Sequence, residues 1–162
     1  MAKKKEEKTN VMRVLEQKNI PYTAHTYPPD GPIDGVSVAG YLGQDVEQVF
    51  KTLVTKGASG EYYVFDIPVA ENLDLKKAAK AVGEKSIAMI HQKELLPLTG
   101  YVHGGCSPVG MKKQFPTMFH ETVVLFDTIC VSAGKIGAQV EVPPQALLDL
   151  LGAETADIVV EQ

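Results

Sequence analysis

Apolar residues along this chain switch between a helical and a strand period, and the switches mark its elements. Val11, Val14 and Leu15 recur at helical spacing behind Thr9 or Asn10, either of which suits a helix cap, and Asn19 and Pro21 end that helix. Tyr22 to Tyr27 alternates as a strand does, and Pro28-Pro29-Asp30-Gly31-Pro32 is a loop. Ser37 is expected to cap a short helix that reaches Leu42 and stops at Gly43. Val46 to Thr55 is mostly apolar and β-branched, which predicts a buried strand. Alternation puts Val49, Lys51, Leu53 and Thr55 on one face and Phe50, Thr52 and Val54 on the other. A turn over Lys56-Gly57-Ala58-Ser59-Gly60 leads into a second strand, Tyr62 to Pro68. Asp74 opens a helix with Leu75, Ala78, Ala79 and Val82 on one face, closed by Gly83. A short strand is expected over Lys85 to Ile90, and a helical turn over His91 to Leu96 that ends before Pro97.

The second half is more broken. Tyr101 to His103 predicts a strand that runs into Gly104-Gly105, Ser107-Pro108 and Gly110. Thr117 to Phe126 predicts a short strand with a turn at His120-Glu121. Thr128 to Ser132 and Gln139 to Val142 form a hairpin through Ala133-Gly134-Lys135-Ile136-Gly137. Pro143, at or near the first helical position, starts a last helix with Leu147, Leu148 and Leu151, closed by Gly152. Strands and helices do not alternate as regular βαβ units. The expectation is an α+β domain: a mixed-sheet, partly closed barrel-like core flanked by helices, spanning residues 9–162 as one domain. Residues 1–8 are nearly all charged and are expected to be disordered.

Composition narrows the function classes. At 162 residues and 44% apolar, the chain can bury a core of its own. No apolar run approaches the ~18 residues of a membrane span, and the charged N-terminus lacks the apolar stretch of a secretory signal. A net charge of −4 argues against a broad basic face for DNA or other long nucleic acid. Lys76-Lys77-Lys80 and Lys112-Lys113 are small basic clusters that suit either a few phosphates or a wet helix face. The 2 cysteines, Cys106 and Cys130, make no disulfide framework, so a reducing, cytoplasmic setting is expected. The 4 histidines stand singly and no metal-ligand spacing occurs, so no metal site or cofactor is expected.

Two stretches carry candidate chemistry. Lys51 interrupts an apolar strand, and its ammonium needs a route to water or an anionic partner. An edge-strand lysine snorkelling to solvent and a cation in a binding pocket both satisfy that requirement. The paired Gly104-Gly105 suit either a tight turn or bulge, or a loop where a ligand approaches bare backbone.

His25-Thr26-Tyr27, Gln48-Val49-Phe50-Lys51-Thr52-Leu53-Val54, Leu73 to Gly83, Thr99 to Gly110 and Val131-Ser132-Ala133-Gly134-Lys135 occur in order. From about Val11 onward the chain resembles the YbaK/EbsC family, most closely the YbaK-type Cys-tRNA(Pro) deacylases, relatives of the editing domain inserted in some bacterial prolyl-tRNA synthetases. The resemblance implies trans-editing in translation by a stand-alone domain, with Cys-tRNA(Pro) as substrate and prolyl-tRNA synthetase as partner. A pocket discriminates near-isosteres by only a few kcal/mol, so a second site must clear the error. It implies Lys51, Gly104 and Gly105 as the catalytic set, the lysine holding the 3′-terminal part of the aminoacyl-tRNA and the glycine amides approaching the ester. It implies Tyr27, Thr52, Ser107, Pro108, Ser132 and Gly134 as substrate-binding residues. Under the same resemblance the substrate's own thiol attacks the ester, and no protein nucleophile is needed. Cys106 is then a packing residue and Ser107 a turn residue. A neighbouring branch that removes alanine typically has asparagine after the pocket lysine, where this chain has Thr52. The alternatives are a same-fold deacylase for another mischarged amino acid, such as Ala-tRNA(Pro), and a non-catalytic regulatory domain that binds tRNA ends or a synthetase.

Overall fold

A computed structural model describes residues 8–161. The charged start over residues 1–7 lies outside the described residues, while Lys8 pairs with Glu16 at 2.6 Å. The order is α1 (Asn10–Gln17), β1 (Thr23–Thr26), α2 (Gly35–Leu42), β2 (Phe50–Gly57), β3 (Tyr62–Pro68), α3 (Leu75–Val82), β4 (Ile87–Met89) and α4 (Gln92–Thr99). Then come β5 (Thr117–His120), a 3-10 turn (Glu121–Leu125), β6 (Ile129–Ser132), β7 (Ala138–Val142), α5 (Pro144–Leu151) and β8 (Glu154–Ala156).

The strands form two sheets, β1-β7-β6 and β4-β2-β3-β5-β8. The smaller is antiparallel throughout; the larger is mixed, because β5 runs parallel to both β3 and β8. Among the described residues a single parallel bridge, Val49 to Cys130, joins the two, and neither sheet closes on itself. The expected α+β class holds, and its barrel-like core is an open pair of sheets. The main core packs Val11 and Leu15 of α1, Phe50 and Val54 of β2, Phe119 of β5, Ile129 and Val131 of β6, Val140 of β7 and Leu147 of α5. Fully burying each such side chain contributes about 1.5–3 kcal/mol. A second cluster packs Ala78 and Ala79 of α3 on Phe65 and Ile67 of β3, with Ile158. Alternation along β2 sorts the clusters as expected: Phe50 and Val54 face the first, Leu53 the second. Among the described residues no helix is long and apolar enough to cross a membrane.

Several local expectations are corrected. Asp34, not Ser37, caps α2, its carboxylate accepting the Ser37 N–H at 3.0 Å. β2 begins at Phe50, because Asp45 holds Val46 to Gln48 in a turn by accepting the Glu47 and Gln48 amides at 2.9 Å. Leu75 is 40% exposed rather than buried with Ala78 and Ala79. α4 runs through Pro97; the missing N–H leaves only the exposed Lys93 carbonyl to water, while buried Leu95 and Thr99 anchor the helix. Tyr101 to His103 is a loop rather than a strand, because Tyr101 turns inward and its hydroxyl donates to the Val109 carbonyl. β8 was not foreseen. It completes the sheet edge, and beyond it Lys77 holds Asp157 and the Val159 carbonyl, both at 2.9 Å.

Candidate active site

A cavity of about 370 Å³ is lined by residues of both sheets, with Val49 of the Val49–Cys130 bridge on its wall. Its position follows from strand lengths. β4 pairs with β2 only at Thr55 to Gly57, so among the described residues no strand pairs with the outer edge of β2 from Phe50 to Leu53. That edge forms one wall, with Val49 to Leu53 all on the lining. Ile33 to Val38, at the start of α2, form a second wall, and His103, Gly104 and Cys106 a third. Tyr27, Ser132 and Gln139 close it from the smaller sheet. The lining is mostly apolar with a few polar groups, as in small-ligand sites.

Lys51 is the cavity's cation. It stands on β2 opposite Ile67 of β3, where β4 does not reach, and its side chain is half-buried on the lining. Burial lowers its ammonium pKa, and the field of Glu71 offsets part of that. Asp34, exposed at the rim, is the lining's carboxylate; its bonds to Ser37 keep its pKa low.

The loop after α4 is built to hold one amide in place. The Tyr101 hydroxyl ties its start to Val109, and the Ser107 hydroxyl, fully buried, accepts the Val109 N–H at 3.3 Å. The Gly105 N–H donates to the Val102 carbonyl at 3.0 Å, so it is committed to the loop's own turn. Gly104 sits at φ 87°, a conformation suited to glycine, and its N–H has no partner among the described residues. A Cβ on Gly105 would lie 3.0 Å from the Lys135 carbonyl carbon and the Ile136 nitrogen, so the loop packs directly on the β6–β7 turn. In that turn the Ser132 hydroxyl accepts the Gly134 N–H at 3.1 Å.

The structure therefore brings together Tyr27, Lys51, Thr52, Gly104 and Ser132 on one cavity. Gly105, Ser107, Pro108 and Gly134 are not on its lining; they shape the loop and turn behind it. Cys106 does line it, but burial and the nearby Asp66 push its thiol up to about 12, far from a nucleophile's range. The basic clusters at Lys76-Lys77-Lys80 and Lys112-Lys113 are absent from the lining.

Three further residues belong to the site and were not singled out. His103 and Gln139 line it. Asp66 lies behind it, fully buried, with the Thr52 hydroxyl on its Oδ1 at 2.5 Å. Burial raises its carboxyl to about 8 against the opposing hydrogen bond from Thr52. An acid between Phe65 and Ile67 is the same signal in β3 that Lys51 is in β2. Donor atoms of His25, Cys130 and Glu141 also gather within 4.8 Å of one another. Both Glu141 oxygens are taken, one by His25 at 2.7 Å and one by the Thr128 hydroxyl, and burial pushes the Cys130 thiol up to about 12. The Glu141 carboxylate thus ties β7 to β1 and to Thr128, the residue before β6.

Residues 34–150 match the family model of the aminoacyl-tRNA editing domain. The chain belongs to this family. Over 164 residues it is 46% identical to the Enterococcus faecalis protein named "Putative Cys-tRNA(Pro)/Cys-tRNA(Cys) deacylase EbsC", covering 100% of both chains. Among solved structures, one described as "a putative trans-editing enzyme for prolyl tRNA synthetase" superposes with a TM-score of 0.82 at 28% identity, over 93% of this chain and 95% of that one. Another, a hypothetical protein at 21% identity, has a TM-score of 0.85 over 93% of this chain and 99% of that one, and shares the fold. The family match spans the α2 wall, the Lys51 edge and the Gly104 loop.

Proposed function

We propose that the protein is a trans-editing deacylase that removes cysteine from mischarged Cys-tRNA(Pro). The observation that carries this reading is a cation, Lys51, and an unpartnered amide, Gly104, on one small cavity, in a chain 46% identical end to end with a relative named for that activity. An aminoacyl ester is already activated, so orientation and stabilisation of charge on its carbonyl oxygen suffice. The Gly104 N–H serves that oxygen, and Lys51 serves it or the adjoining terminal phosphate. Tyr27, Ser132 and Gln139 shape the recess for the aminoacyl group. The ammonium of that group meets Asp34 at the rim.

The nucleophile is the substrate's thiol, since Cys106 is held protonated. Sulfur bonds to the carbonyl carbon, the ester C–O bond breaks, and the terminal ribose oxygen takes the proton the thiol gives up. The products are a cyclic thiolactone and free tRNA. A net charge of −4 disfavours tight binding of isolated tRNA, so prolyl-tRNA synthetase is the partner that delivers the substrate.

The test presents purified protein with Cys-, Ala-, Ser- and Pro-tRNA(Pro), with and without the synthetase, and follows ester loss. Loss of cysteine far ahead of the others, with thiolactone as product, is expected. Equal turnover of Cys- and Ser-tRNA(Pro) refutes attack by the substrate thiol. No effect of the synthetase refutes the delivery role.

A further inference from the structure

Asp66 is a carboxyl group with no access to solvent, placed directly behind a cavity wall. Its Oδ1 meets the Thr52 hydroxyl at 2.5 Å, and its Oδ2 has no partner among the described residues. Thr52 lies opposite it in the β2–β3 register and lines the cavity beside Lys51. A packed core has no use for such a group, because a buried carboxyl is costly in either protonation state.

Proton inventory fixes what the pair can present. A neutral carboxyl has one O–H, and a buried O–H needs an acceptor. The Thr52 oxygen is the acceptor in reach, so neutral Asp66 donates to it and the Thr52 proton must turn toward the cavity. Oδ2 is then a bare carbonyl, the less costly group to leave unpaired. Ionised Asp66 can only accept. It takes the Thr52 hydroxyl back and leaves the cavity facing a lone pair. We propose that Asp66 is a positioning residue for deacylation: acting through Thr52, it makes that hydroxyl a hydrogen-bond donor to the carbonyl oxygen of the bound ester. This rests on the deacylase reading above.

The surroundings agree. Facing Asp66 are Thr52 from β2 and Cys106 from the loop after α4; its neighbour on β5 is Phe119, which carries no charge. Lys51 points to the other face of β2, and His120 on β5 accepts the Ile158 N–H at 3.3 Å. Burial keeps Asp66 neutral up to about pH 8. The Thr52 donor is then present at pH 7 and withdrawn above pH 8.

The experiment measures single-turnover deacylation of Cys-tRNA(Pro) from pH 6 to 9 for the wild type, Asp66→Asn, Thr52→Val and Thr52→Ser, with uncatalysed hydrolysis subtracted. Titration of the substrate is common to all and cancels in ratios. An asparagine turns its NH2 to Thr52 and holds the donor state at every pH. The wild-type rate relative to Asp66→Asn is expected to fall about tenfold between pH 7 and 9, the loss of neutral Asp66 for a group titrating near 8. Thr52→Val is expected to lower kcat about tenfold or more, as loss of an oxyanion donor does, and Thr52→Ser to restore both rate and profile. A flat ratio, or a Thr52→Val enzyme with wild-type kcat, overturns the proposal. A wild type inactive on every ester overturns the deacylase reading instead. If Asp66→Asn does not fold, carbon-13 titration of the wild-type aspartates decides: a carboxyl protonated at pH 7 supports the proposal, and none overturns it.

Discussion

Gly105→Ala tests whether the loop's placement matters to the reaction. The added Cβ would meet the Ile136 nitrogen and Lys135 carbonyl carbon at 3.0 Å and the Lys135 Cα at 3.1 Å, where ordinary contact begins near 3.4 Å. All three are backbone atoms in the turn between paired β6 and β7, so no side chain can swing aside. The loop must retreat by about 0.4 Å, and the neighbouring Gly104 N–H moves with it. Overpacking of this kind costs about 1–3 kcal/mol. For a domain of this size that lowers Tm by about 2–12 °C. A 1 Å misplacement can cost ~100-fold in rate, so kcat should fall about 5–10-fold. Gly104→Ala differs in the origin of its cost. Its Cβ would meet the tip of the flexible Ile33 side chain at 2.8 Å, and its cost of ~1–2 kcal/mol comes mainly from φ 87°.

The assay pairs thermal unfolding with single-turnover deacylation of Cys-tRNA(Pro). A Gly105→Ala protein with unchanged Tm and kcat would show that the loop does not bear on the turn as described. A loss confined to KM would show that the Gly104 amide serves binding and not the reacting carbonyl.

Three further outcomes are expected. Lys51→Met should lower kcat/KM about 10–100-fold, the worth of a hydrogen bond to a charged group, and should not lower Tm, because the removed ammonium is disfavoured by burial; unfolding of this variant would instead make Lys51 structural. Native protein at pH 8 should leave Cys106 and Cys130 unmodified by a thiol reagent, and mass spectrometry during turnover should find no cysteinyl adduct, since both thiols are pushed up to about 12; an adduct on Cys106 reverses the choice of nucleophile. Glu141→Gln should weaken acid sensitivity: Thr128 and His25 lower the Glu141 pKa, so its stabilisation is full above the ordinary glutamate range of ~4.3 and is lost as pH falls through the lower folded value. Denaturant unfolding from pH 3 to 7 checks this, and parallel wild-type and variant curves refute it.

Local signals carried most of the fold into the sequence. Thr9, Asp74, Gly43, Gly83 and Gly152 act as caps where they were read as caps, because capping chemistry is settled within a few residues. What failed depended on partners far along the chain. Tyr101 reads as a strand residue until Val109 accepts its hydroxyl, and Glu154-Thr155-Ala156 has no strand signal until β5 lies beside it. The cavity shows the same division. Family resemblance points to Lys51, Tyr27, Thr52, Gly104 and Ser132, and no spacing in the chain shows that β2 and β6 supply walls of one cavity.

Lys51 and Asp66 interrupt apolar runs at adjoining positions of paired strands, where Lys51 lies opposite Ile67 and Asp66 opposite Thr52. One register step puts them on opposite faces of the sheet; Lys51 lines the cavity and Asp66 stays buried behind its wall. They do not neutralise each other. Burial lowers the lysine's pKa and raises the acid's, so each moves toward its uncharged form. A salt bridge would have removed both effects. Keeping the pair apart leaves the cavity with a cation and a hydroxyl donor and no ionised carboxylate behind them at pH 7. That polarity suits an ester carbonyl gaining negative charge and would be wrong for one losing it.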